Sequence, residues 1–202
     1  ELDKLRDFAG TKKGHFLIAL DPSKNLPKLY DFLFKEYGVS VNYDIVVDPR
    51  GISQNYWTVC PELIQHEITK PIIEKKMIGL MFHCCSLTRD TRAELDHKVL
   101  MKTIPQSWAK RDVDNLDGVQ FDKGIDAQGP LELAVIAQKS DVASGSKAVI
   151  IGDADIVGNT YIAVGANRDI IINTINWLFG NNKMISIRPR TLEIPRINFN
   201  QN

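Results

Sequence analysis

Apolar positions recur along this chain in two rhythms, one helical and one extended. Leu2, Leu5, Arg6 and Phe8 outline a short helix that ends at Gly10. His15 to Leu20 reads as a strand, stopped at Asp21-Pro22 because proline cannot donate to a ladder. Leu26, Leu29, Phe32, Leu33 and Tyr37 keep helical spacing within Lys24 to Tyr37, and Gly38 supplies the C-terminal cap. Asp44 to Val47 reads as a short strand before the turn Asp48-Pro-Arg-Gly51. Tyr56 to Val59 is a further strand, while Pro61 to His66 and Pro71 to Lys76 read as helical turns that open on proline.

Lys76 to Cys84 and Lys98 to Ile104 both read as extended. Between Pro105 and Gly129 lies a polar stretch with weak periodicity and Trp108 embedded in it, the pattern of a functional or partner-facing loop. Leu131 to Gln138 is a strand, and Lys183 to Arg188 reads as the last one. The most telling unit is Lys147-Ala-Val-Ile-Ile-Gly-Asp-Ala-Asp155 followed by Gly165-Ala-Asn167 through Phe179. It reads as a buried strand ending on two carboxylates, then a capped helix. Asn167 is read as its N-cap, Asp169 suits the helix dipole, and Ile171, Ile175, Leu178 and Phe179 form its core face, which Ile170, Ile172 and Trp177 widen. The order of strands and helices predicts an α/β fold. Its sheet is mostly parallel with helices on both faces, a three-layer arrangement of the flavodoxin-like kind.

Composition narrows the function classes. The chain has 202 residues, 44% of them hydrophobic, enough for a substantial core. Lys+Arg and Asp+Glu number 25 each, so no basic excess is present to hold phosphate backbones, and nucleic acid is not expected as a partner. No segment has the length and apolar content to span a bilayer. Residues 1–188 read as one α/β domain and 189–202 as an extended tail. The start at Glu1, without an initiator Met, reads as the edge of an excised fragment.

Three constellations are candidates for chemistry. Asp153 and Asp155 at the end of a strand, with Asn159 beyond, form the candidate ligand site, where doubly wound sheets bind. A sugar or a hard cation suits such oxygens. The plainer alternative is that they accept loop and helix amides and tie the loop down. His83-Cys84-Cys85-Ser86 ends a strand where a cysteine amidohydrolase would place its nucleophile, but glycines are missing beside it and His97 is the last histidine. Zinc spacing is missing too. Cys60, Cys84 and Cys85 read as buried thiols, with a Cys60 bridge to Cys84 or Cys85 as the alternative. No phosphate-binding glycine motif occurs. The residues thus predict no catalytic set, no metal site and no cofactor.

In combination these segments resemble the extracytoplasmic domain of gliding-motility-type ABC transporter auxiliary components, the uncharacterised ABC-type transport system family. The likeness runs through Leu2 to Phe8 with His15 to Pro22, Leu29 to Gly38 with Asp44 to Pro49, and His66-Glu-Ile-Thr69 before Pro71. It continues in Gln106-Ser-Trp108, Asp126-Ala-Gln-Gly-Pro130, Gly152-Asp-Ala-Asp155 with Asn159, and Gly165-Ala-Asn167 through Leu178. The resemblance implies a fold akin to class I glutamine amidotransferases and to a domain of intraflagellar transport proteins. It implies no catalytic residues. It also implies an anchored protein on the periplasmic face that works with ABC permease and ATPase subunits, touching the membrane only through segments outside this chain. Trp108 and Asp126 are the partner-binding candidates, and a homo-oligomer is a further option.

Overall fold

The computed structural model describes residues 2–10, 14–25, 27–51, 55–90, 94–113, 119–139, 145–181 and 185. Two strands make its centre, β11 (Glu132–Lys139) and β12 (Lys147–Ile151), paired antiparallel from Ala134↔Ile151 to Gln138↔Lys147. Their side chains alternate between two cores. Ala134, Ile136, Val149 and Ile151 face one, and Val135, Ala137, Ala148 and Ile150 face the other. A strand covered on both sides needs an unbroken apolar run, which these residues supply.

The first core is closed by α4 (Asn167–Leu178) through Ile170, Ile171, Trp177 and Leu178, with Ile72 of α3 (Lys70–Glu74). The second is closed by α2 (Pro27–Tyr37), with α1 (Leu2–Gly10) packed beside it. Phe16, Phe32 and Tyr37 meet pairwise edge-to-face there, at centroid distances of 6.0 Å. Each such buried side chain is worth about 1.5–3 kcal/mol, and edge-to-face contact adds about 0.5–1.5 kcal/mol. The expected face of α4 is buried at Ile171 and Leu178 but not throughout. Ile175 and Phe179 stand exposed, while Ile170, Thr174 and Trp177 are buried.

The expected parallel sheet does not form. The strand β1 (Phe16–Ala19) runs parallel to β12, the only parallel pairing among the described residues. On its other side β11 pairs antiparallel with β8 (Leu95–Lys102), and at Glu132 with β7 (Leu87–Arg89). In turn β7 pairs antiparallel with β2 (Val39–Val41), and β8 with β5 (Glu62–Leu63). The physical reason lies in the connections. Parallel neighbours need a crossover of a dozen or more residues, usually a helix, and the connection between Lys139 at the end of β11 and Lys147 at the start of β12 is too short for one. The architecture is therefore a mixed α/β fold with a mostly antiparallel, curled sheet, not a flavodoxin-like or amidotransferase-like one. Register shifts between β11 and β8 mark the curl; there Leu133 and Ala134 both enter the first core, breaking the alternation.

Two smaller sheets complete the fold. In one, β3 (Ile45–Val47), β9 (Trp108–Lys110) and β10 (Ala127–Gln128) pair antiparallel. In the other, β4 (Thr58–Val59) pairs with β6 (Met81–Phe82). The polar stretch 105–129 thus contains two strands, and Pro61 to His66 holds β5 where a helical turn was expected. The expected strand at 183–188 and the tail at 189–202 lie outside the described residues, apart from Ile185.

A polar pocket between two sheets as the candidate functional site

The three-stranded sheet meets the edge of the large sheet around a cavity of about 540 Å³. Asn42 follows β2 and Asp44 precedes β3. Ser86 precedes β7, which carries Thr88 and Arg89; His97 comes from β8, Arg111 follows β9, and Glu132 opens β11. Strand ends and connections place all these side chains, so the rigid sheets set their positions.

Asp44 is 2% exposed. Its Oδ1 accepts the Ser86 N–H at 2.8 Å and its Oδ2 accepts the Ser86 Oγ–H at 2.6 Å. Burial pushes its pKa up, opposed by the two Ser86 hydrogen bonds and by the positive field of Arg111. Asn42 Nδ2 donates to Ser86 Oγ at 2.8 Å and to Thr88 Oγ1 at 3.0 Å. Both amide protons of Asn42 and the hydroxyl proton of Ser86 are therefore committed. The Thr88 proton and the Asn42 Oδ1 remain for a ligand. Arg89 closes on Glu132 in a bidentate pair, Nε at 2.7 Å and Nη2 at 2.6 Å. His97 Nε2 donates to the Tyr37 carbonyl at 2.7 Å, which leaves Nδ1 as an acceptor in the neutral ring.

The structure assigns other work to the residues expected from sequence. Beyond Ile151 the chain leaves its extended path, and Asp155 opens a short 3-10 turn, Asp155–Val157. Asp153 is buried beneath it, accepting Phe82 N–H at 2.9 Å and Ile156 N–H at 3.2 Å. Burial raises its pKa to about 7. Among the described residues no group of three or more His, Cys, Asp or Glu side chains could hold a metal. Asp153 thus accepts two backbone amides that join the loop to β6.

Trp108 is half-buried in β9, edge-on to Phe121 at 6.2 Å, and its indole Nε1 is buried without a hydrogen-bond partner among the described residues. Asp126 accepts Arg111 N–H at 3.2 Å and Asp122 N–H at 2.9 Å, so it organises the loop beside the pocket. Cys84 and Cys85 are fully buried, and burial pushes both thiols up. All three cysteines are free. His83 adopts a left-handed conformation at φ 52°, and its side chain is exposed.

Sequence reasoning passed over the pocket. Asp44 was legible only as the start of a strand and Ser86 only as a neighbour of the cysteines. The available signal was Asn42 and Asp44, then Ser86 and Thr88: polar residues two apart beside short apolar strands.

No protein-family model matches the chain, and no curated protein matches it. Among solved structures it is similar to one described as "mmIFT52 N-terminal domain", with a TM-score of 0.60 and 14% identity. The match covers 88% of this chain and 69% of that one. At this identity the likeness shows the fold alone. An intraflagellar transport domain stood among the folds that the resemblance implied, and the strand directions overturn the amidotransferase part.

Proposed function

We propose that this chain is a non-catalytic binding domain, serving on the extracytoplasmic face as part of an ABC transport auxiliary component. The observation that carries the reading is the pocket, which is prearranged for holding and lacks an activated nucleophile among the described residues. The Ser86 hydroxyl hydrogen-bonds a buried carboxyl, and His97 Nε2 is committed to a backbone carbonyl. An activated thiol is a lowered-pKa, accessible thiol; Cys84 and Cys85 have the opposite character. The transport assignment draws on the motif resemblance. No described helix is long and apolar enough to cross a membrane.

Phe121 and Ile125, exposed by 39% and 50%, stand with Trp108 beside the pocket and form the docking ridge. The test is co-purification of the tagged full-length protein from solubilised membranes. An ABC permease is retained by the wild type and lost in a Phe121→Asp, Ile125→Asp double variant that melts at the wild-type temperature. Failure to retain a permease sinks the transport reading. Turnover of amides with rapid labelling of Cys84 near pH 6 sinks the non-catalytic one.

A further inference from the structure

Within that binding-domain reading, we infer that the pocket between the two sheets takes a small zwitterion of the amino-acid type, its ammonium on Asp44 and its carboxylate on Arg111. The inference starts from charges that the fold leaves incomplete. The Asp44 carboxyl is buried, yet its hydrogen-bond partners are only the amide and hydroxyl of Ser86. Each carboxylate oxygen keeps a further acceptor position. A buried carboxylate is expensive without a cationic partner, and a ligand ammonium would supply one.

Arg111 is the cation that acts on Asp44, through its field. Its guanidinium is exposed and has no hydrogen-bond or ion-pair partner among the described residues, while its backbone N–H is pinned by Asp126. The other guanidinium in the pocket, Arg89, is already closed on Glu132. The cavity therefore presents a carboxyl at its floor and an uncommitted cation, with opposite charges unjoined. A zwitterion completes both ends and brings no net charge.

Other ligand classes fit less well. A phosphate or other anion on Arg111 would meet the carboxylates of Asp44 and Asp90 in the same lining, since Arg89 is already closed on Glu132. A monoamine would leave Arg111 unneutralised. The Thr88 hydroxyl and Asn42 Oδ1 offer lateral hydrogen bonds, and Leu87, Leu95, Pro130 and Leu131 provide apolar wall for a side chain.

The test is titration calorimetry on the folded protein with individual free amino acids, matched monoamines, matched carboxylates, polyols and inorganic phosphate, each to millimolar concentration. An amino acid should bind at least tenfold more tightly than the amine or carboxylate that represents half of it. Arg111→Gln, at an exposed position, should weaken the amino acid tenfold or more and leave the monoamine unchanged. Asp44→Asn should weaken both; circular dichroism checks its fold, and the Arg111 variant carries the test if it does not fold. Binding of a polyol or of phosphate with amino acids silent overturns the zwitterion and leaves the binding-domain reading standing. Silence across the panel also overturns it, while the co-purification experiment decides the broader reading separately.

Discussion

Replacing Asn167 by alanine removes a clamp that joins segments 87 residues apart. Asn167 is the first residue of α4 and fully buried; the N-cap position belongs to Ala166, which makes no side-chain cap. Instead of capping its helix, the Asn167 amide grips Leu80 from both sides. Its Oδ1 accepts Leu80 N–H at 2.9 Å, and its Nδ2 donates to the Leu80 carbonyl at 2.8 Å and the Tyr161 carbonyl at 3.1 Å. Three neutral hydrogen bonds contribute about 0.5–1.5 kcal/mol each, and a buried backbone group left unpaired costs about 1–3 kcal/mol. Asn167→Ala should thus lose about 3–5 kcal/mol, a large share of the 5–15 kcal/mol of a typical domain. Asn167→Asp should be worse at neutral pH, because both donors vanish and a carboxylate faces two carbonyls. Asn173→Ala, which removes one bond to the Ile68 carbonyl, should cost about 1–2 kcal/mol. Urea unfolding followed by circular dichroism gives all three values. A loss under about 1 kcal/mol for Asn167→Ala, or a larger one for Asn173→Ala, would refute the clamp.

Asp153 links stability to pH. Its folded pKa of about 7 lies above the ordinary 3.8, so its stabilising effect is complete at low pH and disappears as pH rises through about 7. At about 1.4 kcal/mol per unit, wild type should lose up to ~4 kcal/mol relative to Asp153→Asn between pH ~4 and ~8, and parallel stability curves would contradict this. Gly165 sits at φ +53° with the Ile78 carbonyl against the position of an added Cβ, so Gly165→Ala should lower the melting temperature by several degrees. In native protein Cys60, half-buried, should label first, with Cys84 and Cys85 reacting only on denaturation; mass spectrometry after pulse alkylation reads the order.

Much of the fold could be read along the chain wherever an element was long enough to show its period. The helix over Pro27–Tyr37, the strands at 16–19 and 132–139, and the C-terminal strand and helix all had such length. Strand direction was not legible. A doubly covered strand such as Lys147–Ile151 has the same apolar run whether its neighbour is parallel or antiparallel, and only β1 and β12 satisfied the parallel inference. Val39–Val41, Leu87–Arg89, Trp108–Lys110 and Ala127–Gln128 are too short to carry a period. The pocket is hidden for a related reason: Asn42, Ser86, Arg111 and Glu132 meet only through long-range pairings. The acidic pair at 153 and 155 was conspicuous because it is local, and its first member is used for structure.

The pairing of Phe16 with Ala148 has a consequence for biogenesis. Among the described residues β1 pairs with β12 alone, whose residues leave the ribosome about 130 positions later, an interval of roughly 7–26 s at ordinary synthesis rates. Throughout that interval Phe16, Phe32 and Tyr37 lack the Val135, Ala137, Ala148 and Ile150 side chains they are built to cover. The aromatic cluster of Phe16, Phe32 and Tyr37 therefore stays without its full cover on the nascent chain until β12 emerges.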